Sequence, residues 1–457
     1  MTQAPANGNT TGILAGYMAA ARDRALPADV DREAKHRLLD SLAAIVSGST
    51  LLPGQMADKY VRTLGGVPES MVMTTDVVTS AANAALANGM MGHADETDDF
   101  DPLSKAHPGC SVVPAAWAMA EREGASGAEL LRAVALGYDV ACRILLAVDA
   151  DKLRAAHHSA EGFGATFGAT GAAASLARLD PMQMRYVLSY ASQQASGLWA
   201  WVGDEEHVEK AFDFAGMGAR NGVTAATMVQ MGFSGVPNIL DGEHNLLLAF
   251  SQNPDPSRIT DGLGEVFSVS STAIKPYAVG YPIQSALDAL FTITAAHNVT
   301  GADVASVVAR LPTDGAGVVN NRAMPDVNIQ HCIALALVDG GVSFTSTHSY
   351  ERMADAEVLA MKERVTLQPE ASLVMPEAPR QAIIEVTTTD GRVLSHHTKY
   401  APGTAQNPLD TGRVCEKARD LIGPVLGENA TEQLIDRVLH IEDVANIRDL
   451  RPLLARG

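Results

Sequence analysis

The sequence predicts a mostly helical protein that also contains a smaller region of mixed helices and strands. Between residues 11 and 250, apolar residues recur at helical spacing in one segment after another. Near residue 265 the pattern changes to short runs rich in Val, Ile and Thr, which are typical of strands. Helical spacing returns after Pro408. We therefore expect a large all-helical domain formed by both chain ends, with a smaller α+β lid domain inserted between them.

The first region contains several well-marked helices. Residues 30–48 carry an apolar face and stop at Gly48, a residue type that commonly ends helices. Residues 81–92 and 114–121 are Ala-rich and apolar almost throughout, which predicts two buried helices. The same helical spacing extends over three further segments: 127–149, 181–201 and 222–233.

The middle region contains the strand signals. Residues 304–312 and 363–369 have the composition of strands. Residues 382–400 place Asp390 and Gly391 between two strand-like runs, which predicts a β-hairpin with its turn at this pair. Residues 328–341 are apolar and predict a buried helix.

These changes divide the chain into three predicted segments. The helical domain takes up residues 1–267 and 405–457, and the inserted α+β domain takes up residues 268–404. We expect an active site in the cleft between the domains, because ligand sites are common at domain interfaces. The first ten residues predict a disordered tail.

The composition limits the classes of partner. The chain has 34 Lys and Arg against 53 Asp and Glu, a formal net charge of −19, which argues against nucleic acid or an anionic membrane as a partner. An anionic ligand would therefore need a few local cations. The four cysteines are widely separated without a CxxC pair, so neither a zinc site nor a disulfide framework is expected. The sequence shows no signal peptide and no apolar run of the roughly 18 residues needed to cross a bilayer. We therefore expect a cytoplasmic protein.

The segment 93–114 is the most informative for function. It holds five carboxylates and two histidines between two apolar helices. Unpaired buried charges are unfavourable, so such a cluster is expected to surround water or a substrate. The residues after Asp95 do not have the spacing of a calcium loop, and Pro102 occupies the last position of a DDxxD magnesium motif. An acid–base site is favoured; a solvated acidic loop and a metal site at His93, Asp95 and His107 remain alternatives.

Other motifs permit both functional and structural interpretations. The glycines in 162–171 have the spacing GxGxxxG and follow no buried strand, which favours close helix packing over dinucleotide binding. Lys210, Lys275 and Arg322 are candidate cations for an anionic ligand, although most such residues are solvated surface groups.

Taken together, these segments make the sequence resemble the MmgE/PrpD family nearly end to end. The HADETDD…HPG…PAA block is the specific motif. The supporting matches are LLDSLAAIVSG, FGATGAAA, EKAFDFAGMGARNGVTAA, IKPY, VVNNR and GTAQNPL.

The resemblance implies cofactor-free proton transfer beside a carboxylate of a small di- or tricarboxylic acid, in a homodimer with a helical domain and an inserted lid. The implied activity is that of a lyase, dehydrating its substrate as 2-methylcitrate dehydratase does. Two alternatives remain, an epimerase resembling iminodisuccinate epimerase and a non-catalytic helical binding protein.

The resemblance also assigns residues. The acidic residue of the HxxD/E motif falls on Glu96, and the acidic pair after it falls on Asp98 and Asp99. The histidine of the HPG motif falls on His107, the leading acid–base candidate. The two active-site lysines of the family fall on Lys210 and Lys275, although Lys210 stands one residue further from its following glycine than the usual pattern has it.

Several positions depart from the family pattern. In cis-aconitate decarboxylase a threonine follows the acidic pair, where this sequence has Phe100. The usual histidine before the FG…GAAA segment corresponds to Glu161, with His158 nearby. The tyrosine that precedes the NR motif in the decarboxylase corresponds to Val319. The histidine that is common nine residues after the IKPY lysine corresponds to Gln284. These departures argue against cis-aconitate as the substrate and weaken the case for 2-methylcitrate.

The expected site therefore has two groups of residues and no metal or cofactor. The catalytic group is His107, Lys210, Lys275, Glu96 and Asp98. The substrate-binding group is Asp99, Arg322, Glu161, His158 and Gln284.

Overall fold

The structure is a computed structural model that describes residues 9–456. Most of the predicted disordered tail, residues 1–8, lies outside the described residues. The prediction was wrong at its end, because Thr10 already begins a helix and its backbone N–H donates to Asp241. Among the described residues, no helix combines the length and hydropathy needed to cross a membrane.

Helices dominate the described chain, which confirms the predicted mostly α class with additional α+β structure. In chain order the helices are α1 Thr10–Ala21, α2 Ala28–Gly48, α3 Leu52–Val61, α4 Ala81–Gly92, α5 Gly109–Glu123, α6 Gly127–Val148, α7 Ala150–Ala155, α8 Ala160–Leu176, α9 Pro181–Gln194, α10 Val208–Ala211, α11 Met217–Gln230, α12 Leu246–Phe250, α13 Ser257–Thr260, α14 Gln284–His297, α15 Thr313–Val319, α16 Ile329–Asp339, α17 Phe344–Thr347, α18 Tyr350–Met353, α19 Ala356–Lys362, α20 Thr411–Leu426, α21 Glu428–Leu439 and α22 Arg451–Leu454.

The chain divides into two compact units. Among the described residues, the first comprises 9–94, 98–272 and 421–456. The second comprises Asp95–Thr97 and Ala273–Asp420. The predicted inserted segment was 268–404. By comparison, the second unit starts slightly later, ends inside α20 and also includes three residues of the acidic loop.

The first unit is a helical assembly with sharply defined helix ends. Ser126 and Glu129 form a capping box at the start of α6, and Asp180 caps α9. A short antiparallel ribbon, β1 Ser70–Met71 and β2 Val78–Thr79, precedes α4. Helix α5 begins at Gly109, earlier than the predicted 114, and α9 ends at Gln194, before the predicted 201.

The glycine-rich segment of α8 packs against neighbouring helices, as predicted. A Cβ atom on Gly168 would lie 2.8 Å from the Ala141 Cβ atom of α6 and 2.9 Å from Val112 of α5. Gly164 is similarly blocked by Leu145 of α6. Glycine at these positions therefore allows the helices to approach closely.

The second unit contains a four-stranded sheet packed on helices. Its strands are β3 Val304–Leu311, β4 Val365–Pro369, β5 Ala382–Thr388 and β6 Val393–Thr398, in the spatial order β4-β3-β5-β6. Strands β3 and β4 are parallel, and the other neighbours are antiparallel. Alternate residues of β3 and β5 are buried and join a core that includes residues of α14 and α16. The β5–β6 pair confirms the predicted hairpin.

Candidate active site

The acidic loop connects α4 to α5 and is buried. Ser80 caps α4, which ends at Gly92, and α5 starts directly after His107 and Pro108. Every residue from His93 to Asp101 is buried. This burial excludes the alternative of a solvated acidic loop, because the carboxylates are held by protein groups rather than by bulk water.

One of these carboxylates, Asp98, binds two histidines of the first unit. Its Oδ2 atom lies 2.9 Å from His107 Nδ1, and its Oδ1 atom lies 3.0 Å from His93 Nδ1. A carboxylate accepts hydrogen bonds, so a neutral His107 carries its proton on Nδ1 in this arrangement. The lone pair of His107 is then on Nε2. His93 is fully buried, whereas the His107 side chain is 9% exposed, which makes His107 the accessible partner.

Aromatic rings surround this histidine pair. The Phe100 ring centre lies 5.0 Å from that of His107, and the Phe214 ring centre lies 5.2 Å from it. Phe214 also stacks on His93 at 4.2 Å with an interplanar angle of 17°. His207 lies beside His93, and its Nε2 donates to the His93 backbone oxygen at 2.9 Å.

Asp99, the neighbour of Asp98, faces the start of α5. Its carboxylate accepts the Gly109 N–H at 2.8 Å and the Tyr138 hydroxyl at 2.6 Å. Burial raises the pKa of Asp99 to about 7 against the lowering effect of the Tyr138 bond, and the negative charge of Asp40 adds to the rise. Asp99 therefore anchors the first turn of α5, two residues after His107. Its predicted role in substrate binding stays a prediction.

Lys210 lies in α10 and is followed by a π-helical turn, Phe212–Gly216. Its Nζ atom lies 5.1 Å from the Trp201 ring centre and 5.0 Å from that of Phe214. A π turn accommodates one extra residue in a helix. It thus accounts physically for the extra residue between Lys210 and Gly216 that separates this sequence from the family pattern.

The same turn directs Asp213 to a second buried polar cluster. The hydroxyl of Ser159 donates to Asp213 and lies 3.3 Å from the Glu161 carboxylate, which is paired with Arg154. Burial raises the pKa of Asp213 to about 7, opposed by the Ser159 bond and reinforced by the charge of Glu161. His158 has a different environment, with its ring 5.5 Å from that of Phe250.

In the second unit, three consecutive carbonyls of the acidic loop are each bound by a different side chain. His348 Nε2 lies 3.0 Å from the Asp95 oxygen, Lys275 Nζ donates to the Glu96 oxygen at 2.6 Å, and Lys417 Nζ donates to the Thr97 oxygen at 2.7 Å. We call these three side chains the loop clamp. Lys275 is fully buried, and its Nζ is also 3.9 Å from the Glu96 carboxylate. Glu96 itself has a φ of 56°, in the left-handed region.

Two other predicted residues lie elsewhere in the second unit. The buried Gln284 side-chain amide donates to the Tyr277 and Val279 carbonyls and accepts the Tyr277 N–H, so it shapes the turn that follows Lys275. Arg322 is half-buried, and its carbonyl accepts a hydrogen bond from Asn328. Of the predicted residues, Asp98 and His107 are brought together in the first unit, and Glu96 and Lys275 in the second.

Sequence reasoning missed several members of these clusters. His93 was considered only as a metal ligand, together with Asp95, whereas Asp98 is the carboxylate that lies between the two imidazoles. Phe214 and His207 carried no recognisable signal. Lys417 and His348 could have been found only by noting basic residues in apolar surroundings, which is a weak criterion.

A group of possible metal ligands also lies in the first unit. Ligand atoms of His93, Asp98 and Cys110 lie within 4.8 Å of one another. The thiol of Cys110 contacts the His107 carbonyl at 3.1 Å, and Asp98 contacts both imidazoles. Hydrogen bonds therefore account for the positions of Asp98 and Cys110, and His93 is placed by its stacking on Phe214 and its 3.0 Å approach to Asp98.

The fold and this cluster together define a mostly helical protein with an α+β region and a buried carboxylate–histidine centre. Family models identify it further: residues 12–259 match the MmgE/PrpD N-terminal domain, and residues 277–441 match the MmgE/PrpD C-terminal domain. The chain belongs to the MmgE/PrpD family.

Two relatives are similar over nearly the whole chain. The cis-aconitate decarboxylase-like protein oryM of Aspergillus oryzae (strain ATCC 42149 / RIB 40) is 24% identical over 486 residues, covering 100% of this chain and 99% of the relative. The cis-aconitate decarboxylase of Homo sapiens is 25% identical over 468 residues, covering 93% of this chain and 90% of the relative.

Proposed function

We propose that this protein is a lyase of the dehydratase type that acts on a small di- or tricarboxylic acid, with His107 transferring the proton. The observation that carries the proposal is the contact between Asp98 and Nδ1 of His107, which leaves a basic Nε2 on the more exposed of the two paired histidines. Family membership and two relatives named for lyase chemistry on cis-aconitate support the same class.

In the proposed reaction, Nε2 of His107 takes a proton from the carbon next to a substrate carboxylate. The electron pair of the broken C–H bond forms the carbon–carbon double bond as the neighbouring C–O bond breaks. The leaving hydroxide takes up a proton and departs as water. Negative charge grows on the carboxylate during this step, so a cation near it lowers the barrier.

Lys210 is our candidate for that cation in the first unit, because its ammonium lies 5.0 Å from the centre of the Phe214 ring, which also contacts His107. A lysine over an aromatic face is stabilised as a cation by the negative ring face. Asp98 would hold the His107 tautomer and stabilise the imidazolium that forms. Roles in binding or catalysis remain predictions for the other expected site residues: Lys275, Glu96, Arg322, Glu161, His158 and Gln284.

The experiment is a screen of di- and tricarboxylic acids, with cis-aconitate included because of the two relatives. Formation of a conjugated double bond is followed by ultraviolet absorbance, and proton exchange in deuterium oxide is followed by nuclear magnetic resonance. We expect loss of water from at least one hydroxy acid, and a loss of about 10²–10⁴-fold in rate in His107→Ala. The exposed His157→Ala variant is the control.

Four results would contradict the proposal. Deuterium incorporation without loss of water would indicate an epimerase, and release of carbon dioxide would indicate a decarboxylase. Absence of any reaction across the screen would favour a binding protein. A His107→Ala protein that reacts at the parental rate would exclude His107 as the proton-transfer group.

We also propose that the protein is a homodimer, as the family resemblance implies. Light scattering after size-exclusion chromatography measures the mass directly and compares it with the 48.0 kDa of one chain.

A further inference from the structure

Asp213 is a buried carboxylate with no part in the proposed proton transfer. It stands in the π turn Phe212–Gly216, directly before Phe214 and shortly after Lys210. Its carboxylate accepts a hydrogen bond from the hydroxyl of Ser159, the residue that caps α8. This bond joins the π turn to the start of a helix that is distant in the chain.

Two glycines leave the space that this carboxylate fills. A Cβ atom on Gly162 would lie 3.1 Å from both carboxylate oxygens of Asp213, and one on Gly197 would lie 2.8 Å from its Oδ1 atom. Gly162 is in the first turn of α8, where its N–H donates to Ser159 Oγ at 3.1 Å. Backbone therefore packs against the carboxylate from two segments, which leaves it little room to move independently of the turn.

The tryptophan segment before α10 is fixed to the same place. The Ser159 N–H donates to the Gly197 carbonyl at 3.0 Å. Further along this segment, the Trp201 ring meets that of Phe214 edge-on at 4.8 Å. The start of α8, the tryptophan segment and the π turn are therefore packed together around Asp213.

The side chains next to Asp213 reach the candidate site. The Phe214 ring centre lies 5.2 Å from that of His107, and Lys210 Nζ lies 5.0 Å from the Phe214 ring centre. A cation that stabilises growing negative charge must be placed accurately, because a displacement of about 1 Å can reduce a rate by about 10²-fold. An anchor for the π turn therefore affects the placement of both side chains.

We propose that Asp213 is a positioning residue, which anchors the π turn to the start of α8 and so holds Phe214 against His107 and Lys210 against Phe214. It acts through these two side chains and does not touch the substrate. The inference rests on the proposed function, because it assumes proton transfer at His107 and a substrate carboxylate bound by Lys210.

Two substitutions at Asp213 test the anchor with a substrate found in the screen. Asp213→Ala removes the carboxylate, and we expect kcat/KM to fall by about 10–100-fold, with part of the loss in KM because Lys210 binds the substrate. Asp213→Asn keeps an oxygen that can accept the Ser159 hydrogen bond, so it should retain most of the activity. Asp139→Ala is the matched control, because Asp139 is also a fully buried carboxylate of the first unit and accepts the Tyr17 hydroxyl at 2.6 Å.

Hydrogen exchange measures the anchor without a substrate. Asp213→Ala should speed the exchange of backbone amides in residues 197–216, whereas Asp139→Ala should not. Melting temperatures show whether each variant is folded. If Asp213→Ala does not fold, Ser159→Ala removes the other partner of the same hydrogen bond, and the same kinetic loss and faster exchange are expected.

The outcomes distinguish this inference from the proposed function. Faster exchange and a lower kcat/KM in Asp213→Ala, with both restored in Asp213→Asn, support the anchor. Parental kcat/KM in a folded Asp213→Ala, or a loss no greater than in Asp139→Ala, overturns it and leaves the lyase activity in place. If none of the acids reacts with the parent protein, the proposed function fails and this inference fails with it.

Discussion

Oδ2 of Asp98 lies 2.9 Å from Nδ1 of His107, and the other oxygen of the same carboxylate lies 3.0 Å from Nδ1 of His93. One buried anion therefore hydrogen-bonds to His107 and lies close to His93, and of the two imidazoles only that of His107 is partly accessible. A carboxylate so placed fixes the tautomer of the accessible histidine. This relationship would give the proposed base, His107, a defined orientation.

Replacement of Asp98 by Asn should remove the negative charge that holds the His107 proton on Nδ1. The amide is similar in size but neutral, and its NH2 group can force the imidazole proton from Nδ1 to Nε2. We expect kcat on any substrate found in the screen to fall by about 10²–10⁴-fold. Asp101→Asn in the same loop is the control, because that carboxylate accepts hydrogen bonds from Ser104. Equal activity of Asp98→Asn and the parent would refute the orienting role.

Lys417 tests the loop clamp. Its ammonium binds the Thr97 carbonyl at 2.7 Å, so Lys417→Met should loosen the acidic loop while leaving a side chain of similar length. We expect kcat to fall by up to about 100-fold, since small displacements of catalytic groups are costly. The exposed Lys399→Met is the matched control. Equal kinetics of the two variants would show that the clamp does not affect the reaction.

Gly109 tests the close packing at the start of α5. A Cβ atom there would lie 2.8 Å from both Asp99 Oδ1 and the Tyr138 hydroxyl, so Gly109→Ala should lower the free energy of unfolding by about 1–3 kcal/mol. Gly16→Ala in the exposed face of α1 meets no atom within 4 Å and should raise it by about 0.5–1 kcal/mol. Urea denaturation measures both, and changes of the same sign would contradict the packing argument.

We expect the second unit to lose folding stability at acidic pH because of the buried His331. It is fully buried in α16, neither ring nitrogen has a hydrogen-bond partner among residues 9–456, and burial lowers its pKa to about 4. The unfolded chain, with a pKa of about 6.5, binds the proton more readily. Stability contributed by the neutral form is therefore complete above pH 6.5 and is lost as the pH falls from there towards 4.

The loss should reach up to about 3 kcal/mol, because each pKa unit corresponds to about 1.4 kcal/mol. His331→Leu should flatten the dependence of the unfolding free energy on pH between 6.5 and 4, while the exposed His157→Ala should not. Parallel curves for His331→Leu and the parent would show that His331 is not responsible.

Local sequence patterns were sufficient for most of the elements. The Ala-rich segment 81–92 coincides with α4, and the Asp390-Gly391 turn lies between β5 and β6. Helix and strand periodicity depends on neighbours in the chain, which is why such patterns are readable. The ends were less accurate: α5 starts at Gly109 because Asp99 accepts its backbone N–H, a contact between residues ten positions apart.

By itself, the sequence determined the mostly helical class and the presence of the acidic loop, because these depend on periodicity and on a local motif; the acid–base role of His107 stays a prediction. Only the tertiary structure decided which carboxylate serves His107 and which groups surround it. Asp98 rather than Asp95 meets the imidazole, and Phe214 reaches it from the π turn after Lys210. The physical reason is that buried charges and rings find partners by proximity in space, and packing rather than chain order sets that proximity.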